Sequence, residues 1–105
     1  MEAAGGGAIL NITSMSGDNM NQRMASYGSS KVAESHLARN IAFDLGPRNI
    51  RVNAVALGAT RTAALQKVLT PEIEATMLKH TPLKRLGEPA DMAYAALLLC
   101  SPAAS

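Results

Sequence analysis

Residues 50–56, with the sequence IRVNAVA, follow the pair Gly46-Pro47, which ends a long run of helix-forming residues. β-branched and small apolar residues predominate in this stretch, so it is predicted to be a buried strand. A similar stretch, AILNIT at residues 8–13, precedes a helix predicted over 26–45. Strand, long helix and strand make one βαβ unit, whose two strands lie parallel in a sheet.

The remaining residues are predicted to be helical and loop segments. Thr62 to Leu69 is predicted to be a helix, and Thr70-Pro71 has the cap and first-turn proline of a second helix that ends near His80. A last helix begins at Pro89 and ends before Ser101-Pro102. Because a parallel sheet needs several strands and helices on both faces, two strands predict part of a larger α/β domain.

Composition and charge exclude several classes of protein. The chain has 105 residues and a net charge of +2, so it forms one domain at most. Its basic residues are dispersed and only 3% of residues are aromatic, which argues against a nucleic-acid surface. The longest uncharged apolar run, 93–100, is too short to span a bilayer, and residues 1–7 do not resemble a secretory signal. Neither histidine has metal-ligand spacing with a carboxylate or cysteine, so no metal site is predicted.

The single cysteine indicates the cellular compartment. Cys100 has no partner for an internal disulfide, so a reducing compartment, the cytoplasm, is expected. Because it ends an apolar helix, Cys100 is expected to be a small buried residue. Five methionines could line an apolar substrate pocket or could be packing and surface residues. They are Met15, Met20, Met24, Met77 and Met92.

Two side chains at the start of the predicted long helix could carry chemistry. Tyr27 and Lys31 are four residues apart and share one face, where the ammonium would stabilise a phenolate. Ser14 follows the first strand, at the sheet edge where α/β proteins bind ligands, and could hydrogen-bond a substrate oxygen. The structural alternatives are a helical tyrosine beside a lysine that extends to solvent, and a serine that caps a loop.

Ser14, the segment 27–31 (YGSSK) and the segment 50–58 resemble the short-chain dehydrogenase/reductase family in order, spacing and type of element. The resemblance covers nearly the whole chain and implies part of a Rossmann-type doubly wound parallel sheet, incomplete at both ends. Residues 1–105 would be the catalytic and substrate-loop portion of a single truncated domain. Within the family the chain most resembles bacterial 7α-hydroxysteroid dehydrogenases, through residues 12–15, 39–46, 70–74, 80–82 and 98–105.

The resemblance implies roles for three catalytic residues. Tyr27 would be the general acid/base that exchanges a proton with the substrate hydroxyl. Lys31 would bind the ribose hydroxyls of a nicotinamide cofactor and favour the phenolate of Tyr27, so both residues would also contact the cofactor. Ser14 would hold and polarise the substrate oxygen.

The resemblance also implies a cofactor-binding loop after the second strand. Gly58 and Thr62 would lie along the nicotinamide and its phosphates, and the backbone of Thr60 would face the carboxamide. The family usually has proline where this chain has Leu57, which implies a looser loop. Arg61 could contact a substrate carboxylate or a cofactor phosphate, or could be a solvated loop charge.

The activity implied by the resemblance is oxidation or reduction between a secondary alcohol and a ketone, with NAD or NADP. A 7α-hydroxysteroid, a 3-oxoacyl thioester and a sugar alcohol remain alternative substrates. The complete enzyme is expected to form a homo-oligomer through the 26–45 helix. The non-enzymatic alternative is an inactive truncated fragment or an interaction module, and the 105 residues alone are expected to show little or no activity.

Overall fold

Two parallel strands joined by a long helix form the centre of the fold. The computed structural model describes all 105 residues. Strand β1 (Gly7–Ser14) pairs with strand β2 (Ile50–Leu57) along its whole length, with Gly7 opposite Ile50 and Ser14 opposite Leu57. Helix α1 (Ala25–Leu45) connects them. The predicted βαβ unit is confirmed, and both strands end at the same edge of the sheet.

Three shorter helices follow β2. They are α2 (Ala63–Gln66), α3 (Pro71–Lys79) and α4 (Pro89–Cys100). The predicted helix over 62–69 is wrong in length, because α2 is a single capped turn that packs little on the sheet and therefore gains little cooperative stability. None of the four helices combines the length and apolar character needed to cross a bilayer.

Helices cover both faces of the sheet. On one face, Ile50 and Val52 are buried against Ala38 of α1. Because side chains alternate along a strand, Arg51 points to the opposite face. There its guanidinium donates hydrogen bonds to the carbonyl oxygens at the end of α4. The acceptors are Leu99 O at 2.8 Å, Ser101 O at 2.9 Å and Ala104 O at 3.3 Å.

The core is small for a chain of this length. Only six of the 105 residues are buried, and the radius of gyration is 16.1 Å, against about 13 Å for a compact domain of this size. Helix α4 keeps Tyr94 and Leu97 about 70% exposed. The expectation that Cys100 is buried is wrong, since the end of α4 has no apolar layer over it and the thiol is exposed.

Candidate active site

Ser14 ends β1 with its hydroxyl facing the edge of the sheet. A tight turn, Met15–Gly17, follows it directly. Ser14 Oγ accepts a hydrogen bond from the backbone N–H of Ser16 at 3.1 Å, so the loop-capping role considered from sequence is present. This bond uses the oxygen as an acceptor and leaves the hydroxyl proton available for a second oxygen. A capping role and a substrate-binding role are therefore compatible.

Tyr27 lies in the first turn of α1, close to the turn that follows Ser14. A Cβ atom at Gly28 would come within 2.7 Å of Ser16 O, so the absence of a side chain allows the helix to approach this turn. Outside the helical ladder, Tyr27 makes one hydrogen bond, at its backbone carbonyl, which accepts from Ser30 Oγ at 2.7 Å. Tyr27 is 44% exposed, and its hydroxyl makes no hydrogen bond within the chain.

An open cleft of about 780 Å³ unites the ends of both strands with the start of α1. Four of the six site residues predicted from sequence line it: Ser14, Tyr27, Gly58 and Thr60. The other lining residues come from the turn after β1, the loop after β2, α2, and the end of α3. They are Met15, Ser16, Asn19, Asn21, Met24, Leu57, Ala59, Leu65, Met77, His80, Thr81 and Pro82.

Methionine sulfurs and methylenes form much of the apolar wall of this cleft. Five methionines were predicted either to line a substrate pocket or to be packing and surface residues. Of these, Met15, Met24 and Met77 line the cleft. Met20 and Met92 do not, and the side chain of Met20 is fully exposed. Because thioether side chains are flexible and polarisable, such a wall adapts to a bulky apolar ligand.

The polar part of the wall contains residues that sequence reasoning missed. No lysine, arginine, aspartate or glutamate lines the cleft, so its titratable side chains are Tyr27 and His80. His80 caps the end of α3, and the amides of Asn19 and Asn21 lie on the segment before α1. In the sequence, these three residues are distinguished only by lying in segments that flank the strand ends. Many other polar residues also lie there, so the pattern does not single them out.

Lys31 does not line the cleft. Its Nζ lies 5.9 Å from the centre of the Tyr27 ring and donates to Ile12 O at 2.9 Å and to Glu34 Oε2 at 2.8 Å. The hydrogen bond to Glu34, together with its negative charge, raises the pKa of Lys31 above its ordinary value. The ammonium therefore stays charged at neutral pH and is held behind Tyr27.

The loop after β2 places two of its residues in roles that the family resemblance did not imply. Thr62 caps α2, since its Oγ1 accepts the N–H of Leu65 at 3.2 Å, and it does not line the cleft. Arg61 contacts two carboxylates of its own chain, Glu74 of α3 and Glu88 before α4, each at 3.2 Å. Helix α3 shares few other contacts with the strands and helices, so Arg61 is its main polar anchor.

The residues present fit the nicotinamide end of a dinucleotide. At Gly58, a Cβ would meet no atom within 4 Å, so the space above this residue is open. The backbone N–H of Thr60 has no hydrogen-bond partner in the chain and is available to a carboxamide oxygen. Leu57 remains part of β2, paired with Ser14, and also lines the cleft.

Comparisons with known proteins agree with this geometry. Residues 1–105 match the family model described as enoyl-(acyl carrier protein) reductase. The chain is 65% identical over 105 residues to the 7alpha-hydroxysteroid dehydrogenase of Escherichia coli strain K12, covering all of this chain and 41% of that protein. A solved structure of a 7alpha-hydroxysteroid dehydrogenase complexed with NADH and 7-oxo glycochenodeoxycholic acid superposes with a TM-score of 0.94. It is 64% identical, and the match covers 99% of this chain and 41% of that one.

A second solved structure extends the likeness to another substrate class. The 3-oxoacyl-[acyl-carrier protein] reductase of Brucella melitensis ATCC 23457 is 38% identical, with a TM-score of 0.90, over 97% of this chain and 38% of that one. The chain thus spans about two fifths of the length of the relatives it matches. The parallel sheet, the cleft lined by Ser14 and Tyr27, and the family match over residues 1–105 lead to one assignment. The chain belongs to the short-chain dehydrogenase/reductase family of oxidoreductases.

Proposed function

We propose that the protein carrying these residues is an NAD(P)-dependent oxidoreductase that interconverts a secondary alcohol and a ketone, with 7α-hydroxysteroids as its substrate class. Residues 1–105 would form the catalytic and substrate-loop portion of one Rossmann-type domain. The observation that carries the proposal is one cleft, free of lysine, arginine, aspartate and glutamate, that both Ser14 and Tyr27 line. NAD and NADP are equally compatible with it.

The side chains of the cleft account for the proton chemistry of such a reaction. During oxidation, Tyr27 Oη removes the proton of the substrate hydroxyl, and during reduction it returns that proton. Ser14 Oγ–H donates a hydrogen bond to the same substrate oxygen and so orients the carbon that reacts. The ammonium of Lys31, 5.9 Å from the centre of the Tyr27 ring, places a positive charge near the reacting hydroxyl. A nicotinamide cofactor, when bound, supplies the hydride chemistry.

The cleft wall supports a bulky apolar substrate in particular. A volume of about 780 Å³ exceeds what a small sugar alcohol fills, and ligand pockets of this class hold drug-sized molecules. Three methionines and the absence of charged side chains favour a ring system over a phosphorylated or acidic centre. The 65% identity to a 7alpha-hydroxysteroid dehydrogenase supports the same substrate class.

A cytoplasmic location and a homo-oligomer are part of this proposal. The outward side of α1 exposes Phe43 to 88% and Val32 to 50%. An apolar helix face of this kind is suited to contact a second copy of the same helix. The proposal therefore assigns α1 to subunit pairing as well as to holding Tyr27.

The natural polypeptide that carries this sequence, assayed by nicotinamide absorbance with NAD and with NADP, tests the substrate class. We expect oxidation of a 7α-hydroxy bile acid with kcat/KM about a hundredfold above that for its 7β epimer, because Tyr27 and Ser14 accept the hydroxyl from one direction only. Reduction of a 3-oxoacyl thioester is the second candidate, favoured by the likeness to the Brucella reductase. Faster turnover of the thioester would replace the steroid assignment, and no turnover with any of these substrates would reject the proposal.

Met77 offers a test of the apolar wall. Replacing Met77 with glutamine places an amide where the cleft presents a thioether, and we expect the KM for the steroid to rise about tenfold, with kcat within about twofold. Met20→Gln is the matched control, because Met20 is fully exposed and does not line the cleft. Equal steroid KM values for the two variants would show that α3 does not contribute to substrate binding.

A further inference from the structure

Glu34 forms an ion pair with Lys31 on helix α1. The two side chains lie one helical turn apart on α1, with Nζ 2.8 Å from Oε2. Both are partly shielded from water, with exposed fractions of 22% for Lys31 and 33% for Glu34. A charge-assisted hydrogen bond of this length in a shielded place is stronger than a typical surface ion pair.

The contacts of Lys31 leave little freedom to its ammonium group. An ammonium has three N–H donors. One donates to Ile12 O of β1 at 2.9 Å and a second donates to Glu34. Two fixed bonds determine the direction of the third N–H, which has no partner in the chain. The position of this free donor therefore depends on Glu34 as much as on β1.

The same carboxylate also changes the charge that Tyr27 experiences. The ammonium of Lys31 lies 5.9 Å from the centre of the Tyr27 ring, and the negative charge of Glu34, 2.8 Å from that ammonium, offsets part of its positive charge. Glu34 and Tyr27 are the titratable groups whose charges act on Lys31 from α1, and from β1 it meets only a carbonyl oxygen. Glu34 thus acts in two ways, since it orders the lysine and weakens its field.

We propose that Glu34 is a positioning residue for Lys31. Glu34 sets the direction of the free N–H of Lys31, and it reduces the positive charge that Lys31 presents to Tyr27. This inference rests on the proposed function, because the benefit of an ordered lysine lies in that reaction. Glu34 would assist the three proposed catalytic residues, Ser14, Tyr27 and Lys31, without touching the substrate or the reacting atoms.

Chemical labelling tests the hold on Lys31 without requiring turnover. Acetic anhydride reacts with neutral amines, so the labelling rate of Lys31, read by peptide mass spectrometry, reports its neutral fraction. In the natural polypeptide, we expect Lys31 to be labelled more slowly than the exposed Lys67, with an inflection at higher pH. Glu34→Gln preserves the shape of the side chain and should speed labelling of Lys31 about threefold or more. The control is Asp44→Asn on the same helix, where the carboxylate is exposed and makes no ion pair.

The pH dependence of turnover then tests the role in the reaction. Without the carboxylate, the full charge of Lys31 acts on the reaction centre, so the acid limb of the oxidation profile should move to lower pH. Glu34→Ala, which removes the acceptor altogether, should also raise the KM for the nicotinamide cofactor about threefold or more, whereas Glu34→Gln should raise it less.

The outcomes separate this inference from the proposed function. Unchanged labelling of Lys31 in Glu34→Gln would overturn the inference, whatever the activity. Faster labelling with an unmoved pH profile and cofactor KM would also overturn it, because the ion pair would then have no part in the reaction. Absence of turnover in the parent protein would reject the proposed function, and the labelling result alone would then decide whether Glu34 sets the state of Lys31.

Discussion

Replacing Tyr27 with phenylalanine is expected to lower kcat for alcohol oxidation by about a thousandfold or more, since general acid–base catalysis contributes up to about 10⁴-fold. The substitution removes only the phenol oxygen, which is the one free hydroxyl that a tyrosine presents in the cleft. The ring remains, and so do Lys31, Gly58 and the backbone of Thr60. Affinity for the nicotinamide cofactor should therefore stay within about threefold of the parent value.

Steady-state kinetics with the natural polypeptide, together with cofactor binding followed by fluorescence, separate these two effects. Tyr94→Phe is the matched control, because Tyr94 is 71% exposed on α4 and lies outside the cleft. It should leave both measurements unchanged. A Tyr27→Phe variant that retains a tenth or more of the parent kcat would remove Tyr27 from the proton-transfer step.

The second large effect concerns stability. Arg51→Met should reduce the free energy of unfolding by about 2–3 kcal/mol, because hydrogen bonds to a charged group contribute more than neutral ones. The guanidinium satisfies three carbonyl oxygens, of Leu99, Ser101 and Ala104, near the end of α4. Leu99 O is one of the last carbonyls of α4 and has no partner within the helix, and all three acceptors would lose their only side-chain donor.

Urea unfolding followed by circular dichroism measures this effect. Arg48→Met removes the same kind of side chain from a site where the guanidinium lies 3.6 Å from Glu2 and both groups are more than half exposed. That control should change the free energy of unfolding by less than about 0.5 kcal/mol. Equal midpoints for the two variants would show that Arg51 does not fasten α4 to the sheet.

The fold could be predicted from local patterns because the decisive signals are short-range. Apolar runs at 8–13 and 50–56, and the Gly46-Pro47 stop between them, placed both strands and the long helix close to where they lie. Local sequence patterns did not predict the length of a helix whose stability depends on packing against other parts of the chain. The segment from Thr62 to Leu69 was predicted to be one helix, but it packs little on the sheet, and the helix ends after one turn.

In the candidate site, too, the positions of some residues could be predicted from sequence and the directions of others could not. Ser14 and Tyr27 could be placed at one edge because parallel strands end together and the helix returns to them. The directions of long side chains could not be predicted, since they depend on partners far away in sequence or on competing rotamers. Lys31 turns toward Glu34 and Ile12, and Arg61 turns toward Glu74 and Glu88.

The Arg61 bridge has a consequence for the response of the cleft to salt. Its two ion pairs are about one third exposed or more, so dissolved ions screen them in part, and the screening grows as the salt concentration rises. The wall of the cleft that contains Met77 and His80 is therefore held by ion pairs that dissolved salt weakens. The opposite wall, on β1 and α1, is held by packing around Ala38, Ile50 and Val52, which sulfate strengthens. A single salt thus loosens one side of the cleft while it tightens the other.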